Sequence, residues 1–278
     1  MTPEPLLSKH EPSSKSQAWA LGIAYAGTAY CGWQYQRHCP SVQGALQKAL
    51  SSVANEPVAL HCAGRTDAGV HALAQVAHFE TLADRPSKAW VQGVNTQLPS
   101  DIRVQWAQPV PPDFHARFSA HARSYRYVIH NRAVASAHFA DRMTWVRTAL
   151  DEQRMHQAAQ SVLGEHDFSA FRAAGCQAKH AWRAVQSLSV SRQGHLVMID
   201  VRANAFLHHM VRNLVGSLIV IGQHERPVNW LATLLANKDR TLAAKTAPAE
   251  GLYFVNAHYP KTYALPEAAL DCALWACD

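Results

Sequence analysis

Residues 62–72 read Cys62-Ala63-Gly64-Arg65-Thr66-Asp67-Ala68-Gly69-Val70-His71-Ala72. A single acid, Asp67, stands between two glycines and follows a guanidinium and a hydroxyl. Glycine permits positive φ and close approach to the backbone, so Gly64 and Gly69 predict a tight loop in place of a regular element. A carboxylate on such a loop can be fixed by neighbouring N–H groups and by Arg65 while its outer face stays open to a ligand. Hydrogen bonds and a nearby cation keep it ionised, as a nucleophile or base must be. A capped turn with a surface aspartate would also carry a bare G-x-x-D-x-G, so the flanking sequence has to decide.

Upstream, Trp19–Tyr25 alternates large and small residues at period two, the pattern of a half-buried strand. Ser41 is placed to cap a helix whose apolar stripe is Val42, Leu46, Ala49, Leu50 and Val53. Val58–Ala63 reads as a strand entering the Asp67 loop and Gln75–Glu80 as the next one. A helix near Lys88–Leu98 and a strand over Ile102–Trp106 complete a β-α-β-β-α-β order, the ferredoxin-like unit. Gln108-Pro-Val-Pro-Pro112 breaks regular structure and marks a boundary. Beyond it come a strand over Ser124–His130, a helix over Asp151–Leu163, and a hairpin of Val185–Ser191 with Leu196–Arg202 about Gln193-Gly194. Helices over His208–Gly222 and Asn229–Ala236 and a strand over Leu252–Tyr259 follow. The fold class expected is α+β: two ferredoxin-like, RRM-like halves, 17–110 and 111–262, forming one composite, mostly antiparallel sheet with a central cleft. Residues 1–16 read as a disordered tail, and 263–278 as a tail with helical spacing at Leu270, Leu274 and Trp275.

Composition bounds the class. At 278 residues and 48% hydrophobic the chain can bury a full core. No apolar run approaches the length of a membrane span, and Met1–Ser16 lacks the apolar centre of a signal peptide, so neither a membrane nor an export route is expected. The six cysteines contain no C-x-x-C and read as reduced thiols of a cytoplasmic protein. His208-His209 lacks the H-x-x-x-H spacing or Cys pair of a metal site, and no metal is expected. A net charge of +6 and a pI near 9.1 suit a polyanionic partner. Between His115 and Arg147 stand six arginines (117, 123, 126, 132, 142 and 147) and one acid, Asp141, with Phe118, Tyr125 and Tyr127 among them. Arginine forks suit phosphates and flat rings suit bases; a solvated strand pair would carry the same composition.

The longer string Gly-Arg-Thr-Asp-Ala-Gly-Val-His-Ala resembles the signature of tRNA pseudouridine synthases of the TruA family, whose single catalytic aspartate corresponds to Asp67. Tyr25-Ala-Gly-Thr-Ala-Tyr-Cys-Gly-Trp-Gln-Tyr-Gln36 is similar to the family's opening segment, with Ala26 where an Asp is usual. Arg123-Ser-Tyr125-Arg-Tyr127 resembles its R-x-Y-x-Y strand. Ala205-Phe-Leu-His-His-Met-Val-Arg212-Asn-Leu-Val-Gly216 resembles its helix motif, and Ala249-Glu-Gly-Leu-Tyr253 its last strand. The matches run in order from about residue 19 to 260.

The resemblance implies isomerisation of uridine to pseudouridine at positions 38, 39 and 40 of the tRNA anticodon arm, by a homodimer with no cofactor. Asp67 would attack C1′ or remove the C2′ proton, and the residues do not separate these two schemes. The family's helix arginine, which pairs with the catalytic aspartate, maps onto Arg212. Its stacking tyrosine maps onto Tyr125, although spacing alone leaves Tyr125 as a core residue of its strand. The target uridine must be flipped from its stem at a cost of a few kcal/mol, and Arg65 is placed to fill the gap or hold a phosphate. An assisting basic residue of relatives falls at Lys179, a lysine where arginine is usual. A non-catalytic RNA-binding protein is opposed by the intact Asp67, Arg212 and Tyr125. An aspartate-nucleophile hydrolase would need a second acid or a metal cluster, and the sequence presents neither.

Overall fold

A computed structural model describes residues 16–266. The parts of both tails beyond them, including the helical reading of 267–278, lie outside the described residues. Ten strands form a single sheet: β1 (Gln17–Tyr25), β2 (His61–Cys62), β3 (His71–Thr81), β4 (Ile102–Val110), β5 (Ala122–Asn131), β6 (Thr144–Val146), β7 (Gly164–Asp167), β8 (Trp182–Gln193), β9 (Leu196–Ala203) and β10 (Leu252–His258). The main path runs β4-β1-β3-β10-β5-β9-β8-β7, with β2 beside β3 and β6 beside β5. Every pairing is antiparallel except β10 with β3 and β5 with β6. The protein is thus α+β on a large, mostly antiparallel sheet, as expected.

The helices are α1 (Val42–Ala54), α2 (Glu152–Ala159), α3 (Met210–Gly222) and α4 (Trp230–Asn237), with a further helical segment at Ala89–Gly93. Ser41 caps α1 by accepting the Gly44 N–H at 3.2 Å, and Val42, Leu46, Ala49 and Leu50 are buried. Asp151 caps α2 in the same way. The α3 face that meets the body includes Met210, Leu214, Ser217 and Leu218, all buried.

Three local expectations differ. The strand before the Asp67 loop shortens to His61–Cys62, because the Val58 and Leu60 carbonyls accept from the Gln47 and Gln43 side chains of α1 at 3.2 and 3.0 Å in place of a strand partner. β3 starts at His71, inside the motif, and is buried on both faces, so no period-two alternation marks its beginning. Cys31 and Cys39 form a disulfide with Cα atoms 6.1 Å apart, and of the described cysteines Cys62 and Cys176 are free. The loop folds back on itself through Cys31 N–H to Pro40 O at 2.9 Å and the Gln36–Cys39 bridge, bringing together two cysteines whose spacing carries no motif.

The consequence for function lies at the middle of the sheet. β10, from the far end of the chain, inserts between β3 and β5 and pairs Tyr253 with His71 and Phe254 with Tyr125. The loop ending at His71, the tyrosine strand and the last strand therefore meet at one point, onto which α3 brings its N-terminal end.

Candidate active site

The loop 63–70 is held by its neighbours on both sides. Gln75 grips Gly64 twice, its Nε2 donating to Gly64 O at 2.6 Å and its Oε1 accepting the Gly64 N–H at 3.4 Å. Thr66 shares a buried hydrogen bond with the Tyr25 hydroxyl at 2.8 Å, and its carbonyl accepts the Trp33 N–H at 3.0 Å. A turn closes through Val70 N–H to Asp67 O at 3.2 Å, with Gly69 at φ +79°, where glycine is favoured. Gly64 plays a different part from the one its position suggests. It has no positive φ, and a Cβ there would stand 3.2 Å from Phe254 and 3.6 Å from the Tyr125 hydroxyl. Gly64 makes room for rings and Gly69 makes the turn.

The Asp67 side chain is 28% exposed and faces the N-terminal end of α3. His208 Nε2 lies 3.3 Å from Oδ1, His209 Nε2 lies 3.3 Å from Oδ2, and an Arg212 terminal nitrogen lies 3.7 Å from Oδ2. The partially positive helix end adds to these contacts. Arg212 is 15% exposed and anchored, Nε donating to Ala247 O at 2.8 Å while its own carbonyl accepts the Ala247 N–H at 3.1 Å. His209 precedes α3 with φ 59°, an uncommon conformation for a side-chain-bearing residue. Burial lowers its pKa against the opposing pull of Asp67, favouring the neutral ring near pH 7.

Tyr125 is buried, its ring edge-on to Phe206 at 4.9 Å and to Phe254 at 5.2 Å. Burial, then the charges of Tyr25 and Asp67, push its phenol well up, so the hydroxyl keeps its proton. Tyr127 is fully buried, its hydroxyl hydrogen-bonded to Thr144 Oγ1 at 2.5 Å and donating to Pro248 O at 2.9 Å.

Arg65 does not fix Asp67. It is exposed at the loop's edge, and the carboxylate's described partners all come from the α3 end. Lys179 is exposed on the 173–181 loop, and no described contact joins it to Asp67. That loop nonetheless borders the site, because the His208 N–H donates to Cys176 Sγ at 3.4 Å. The arginine run does not form one phosphate face. Arg126 makes a bidentate pair with Asp200, Arg142 pairs with Asp141, and Arg123 donates to the carbonyls of Ala63, Ala120 and Asn204. Ala26 lines a cavity of about 430 Å³ with Asp101, Arg103 and Arg142.

Sequence reasoning missed His208 and His209 as partners of the carboxylate. The spacing test looked for ligands within one segment, whereas the third group comes from a loop far away in the chain. Asp67, His208 and His209 offer ligand atoms within 4.8 Å of one another, a set able to hold a divalent ion. The Arg212 guanidinium on the same carboxylate opposes a dication there.

Comparison with known proteins identifies the family. The family profile described as tRNA pseudouridine synthase matches residues 22–119 and 158–260. A tRNA pseudouridine synthase A of Hydrogenovibrio crunogenus is 64% identical over 256 residues, covering 92% of this chain and 98% of that protein. One from Escherichia coli O1:K1 / APEC is 56% identical over 248 residues, covering 89% and 92%. A crystal structure of a Cbf5-Nop10-Gar1 complex aligns with TM-score 0.34 and 13% identity over 85% of this chain and 48% of that one, too loose a match to carry an argument.

Proposed function

This chain belongs to the tRNA pseudouridine synthase family, and we propose that it isomerises uridine to pseudouridine at positions 38, 39 and 40 of the tRNA anticodon arm, with Asp67 as the reacting carboxylate. The enzyme is an isomerase. The observation that carries the assignment of Asp67 is its setting: one carboxylate, partly open to solvent, on a loop pinned from both sides and faced by Arg212, His208 and His209.

The reaction breaks N1–C1′, turns the uracil and joins C5 to C1′, so no electron or group enters from outside and no cofactor is required. Asp67 acts as the anion in either scheme, attacking C1′ to give a sugar ester or removing the C2′ proton to give a glycal. Arg212 places a guanidinium 3.7 Å from Oδ2 of that carboxylate. The two imidazoles lie within reach of different oxygens of that carboxylate, which orients it; Arg212, tied to Ala247, cannot drift with the substrate. Tyr125 offers the ring against which the detached uracil turns, between Phe206 and Phe254 on a rigid strand. Its protonated hydroxyl can take the C5 proton only by passing its own to water. Arg65, exposed on the loop, is positioned to fill the gap left by a flipped nucleotide or to hold its phosphate, and Lys179 supplies charge on the exposed 173–181 loop. The working unit is read as a homodimer in the cytoplasm. Among the described residues no helix is long and apolar enough to cross a membrane.

The test is incubation of the purified protein with unmodified tRNA and position-by-position mapping of pseudouridine, with and without EDTA in a monovalent salt that keeps the tRNA folded. Product at 38, 39 and 40 in both conditions is expected, and Asp67→Asn should bind the tRNA and form none. Product elsewhere, none at all, or turnover by the Asn variant within tenfold of wild type would overturn the assignment. Chelator-sensitive activity restored by zinc would make the Asp67–His208–His209 set a metal centre.

A further inference from the structure

Arg117 and Phe118 lie in the turn between β4 and β5, and the functional reading so far gives them no task. Phe118 is 74% exposed, yet it is not on a loose loop. His115 Nδ1 accepts the N–H groups of both Arg117 at 3.1 Å and Phe118 at 3.3 Å. Ser119 closes the turn in both directions, its N–H donating to His115 O and its Oγ accepting the His115 N–H, each at 2.9 Å. The Phe118 ring packs on the His115 ring at 4.3 Å, and His115 in turn packs on His78 at 4.5 Å, a buried residue whose Nδ1 accepts the Ala116 N–H. A large apolar side chain is thus held out into water by a buttress of rings and backbone bonds. The Arg117 guanidinium lies 5.5 Å from the ring centroid.

The turn is wired to the catalytic loop. Arg123 donates to the Arg117 carbonyl and, through Nε and a terminal nitrogen at 3.3 and 3.1 Å, to the carbonyl of Ala63, the residue before Gly64-Arg65. The charges of Arg65 and Arg117 both act on Cys62, so two exposed cations flank the same short segment. The described residues around this turn thus present an exposed ring with a guanidinium beside it, tied through Arg123 to the residue that opens the Asp67 loop.

A rigid exposed ring beside a guanidinium is the arrangement on which unstacked nucleobases settle, the ring taking the base and the cation its phosphate. We infer that Phe118 and Arg117 form a base-stacking platform for an unpaired nucleotide of the tRNA flanking the target uridine. The platform would hold the strand on one side of the flipped nucleotide while the Asp67 cleft holds the nucleotide itself. This inference rests on tRNA being the substrate. A neutral His115 is part of the buttress, since Nδ1 must be unprotonated to accept two N–H groups; burial, and after it the neighbouring His61, keep its pKa low.

The experiment uses the full chain and an unmodified anticodon-arm RNA. Wild type, Phe118→Ala, Phe118→Leu and Phe118→Trp are compared for RNA affinity, KM and kcat, with melting temperatures measured alongside. Single abasic nucleotides are then placed in turn at the positions flanking the target. Phe118→Ala and Phe118→Leu should lose roughly 5- to 150-fold in affinity, the range that ring–base stacking spans. Phe118→Trp should bind at least as well as wild type, kcat should change little, and all variants should melt together because the side chain is exposed. One abasic position should weaken the wild type by a similar factor and leave Phe118→Ala indifferent. Affinity of Phe118→Leu equal to wild type, or no abasic position that couples to Phe118, would overturn the platform while leaving the enzyme's function standing. Failure of the wild type to bind tRNA would instead overturn the substrate reading, and this inference with it.

Discussion

Replacing Arg212 with methionine keeps a linear apolar stem of similar reach and removes the guanidinium. Two interactions go with it. The Nε bond to Ala247 O at 2.8 Å fastens α3 to the 245–247 segment, and a bond of this kind contributes about 1 kcal/mol to stability. In a protein of this size that corresponds to a fall in Tm of about 2–4 °C, which leaves the fold intact. The contact with Asp67 Oδ2 at 3.7 Å has a larger consequence. Two unit charges at that separation attract by about 4.5 kcal/mol at an effective dielectric near 20. With the side chains 15% and 28% exposed, solvent screens part of this, and His208 and His209 remain on the carboxylate. The remaining consequence is positional: without the anchored guanidinium at Oδ2 the carboxylate is no longer held in one place, and a displacement of about 1 Å should lower kcat by roughly 100-fold. Single-turnover release of tritium from 5-tritiated uridine in tRNA isolates this step, and filter binding should show the Kd for tRNA nearly unchanged. Arg212→Lys has one point charge, which cannot serve Ala247 and Asp67 together, and should recover only part of the loss. A methionine variant within threefold of wild type, with its Tm lowered as expected, would refute the reasoning, because the guanidinium would then be a strut for α3 and not a partner of the carboxylate.

Tyr125→Phe keeps the edge-on contacts with Phe206 and Phe254 and should bind tRNA like wild type while releasing tritium slowly; Tyr125→Leu should lose capture of the base as well, and identical behaviour of the two variants would remove the ring from the mechanism. Acid stability should carry the mark of His71, whose Nδ1 accepts the Gly27 N–H at 3.0 Å and whose pKa burial, and then the Arg142 charge, lower from 6.5 to about 4. Between those values the unfolded chain binds the proton and the native state does not, so stability falls as pH drops through that window, by up to about 3 kcal/mol; urea titrations of His71→Gln, which keeps an acceptor, should show a flatter dependence, and an unchanged slope would show that a neutral His71 is not responsible. The salt dependence of tRNA binding should separate engaged from available arginines: Arg117→Ala should lower the slope of log K against log salt by about 1, whereas Arg126→Ala, whose guanidinium is held by Asp200, should leave it in place.

What was legible in the sequence is what neighbours along the chain decide. Period-two alternation and Gly194 disclose the β8–β9 hairpin, whose turn is Gly194-His195, and the apolar stripe behind Ser41 discloses α1. The insertion of β10 between β3 and β5 leaves no such trace, because its parallel pairing with β3 joins segments from opposite ends of the chain and no turn connects them. β6 and β7, of three and four residues, are too short to show a period and exist because longer strands offer them an edge. The cysteine pair fails for the same reason, being made by the path of the 31–40 loop and not by spacing.

The candidate site divides along the same line. Asp67 is visible in its motif, yet the cation beside it in sequence, Arg65, points elsewhere, and its partners arrive from α3. Arg212 reached the site through resemblance, since a helix arginine among apolar neighbours signals only that it needs some partner. His208 and His209 are the instructive failure. In a regular helix adjacent side chains diverge by about 100°, so neighbouring imidazoles should not serve one carboxylate. Read from sequence, the pair is weighed only as metal ligands, by H-x-x-x-H spacing, and a helix drawn from His208 gives no hint that both rings face one acid. The structure starts α3 at Met210 and holds His209 at φ 59°, outside helical geometry, and there both rings reach Asp67, one to each oxygen. Left-handed backbone at a residue with a side chain costs on the order of 1–3 kcal/mol, and such a cost persists only where the surroundings over-determine it. Here they do so from outside the segment: the His208 N–H is taken by Cys176 Sγ, and the His209 ring by the carboxylate. The conformation that sequence propensity would not choose is the one the carboxylate requires.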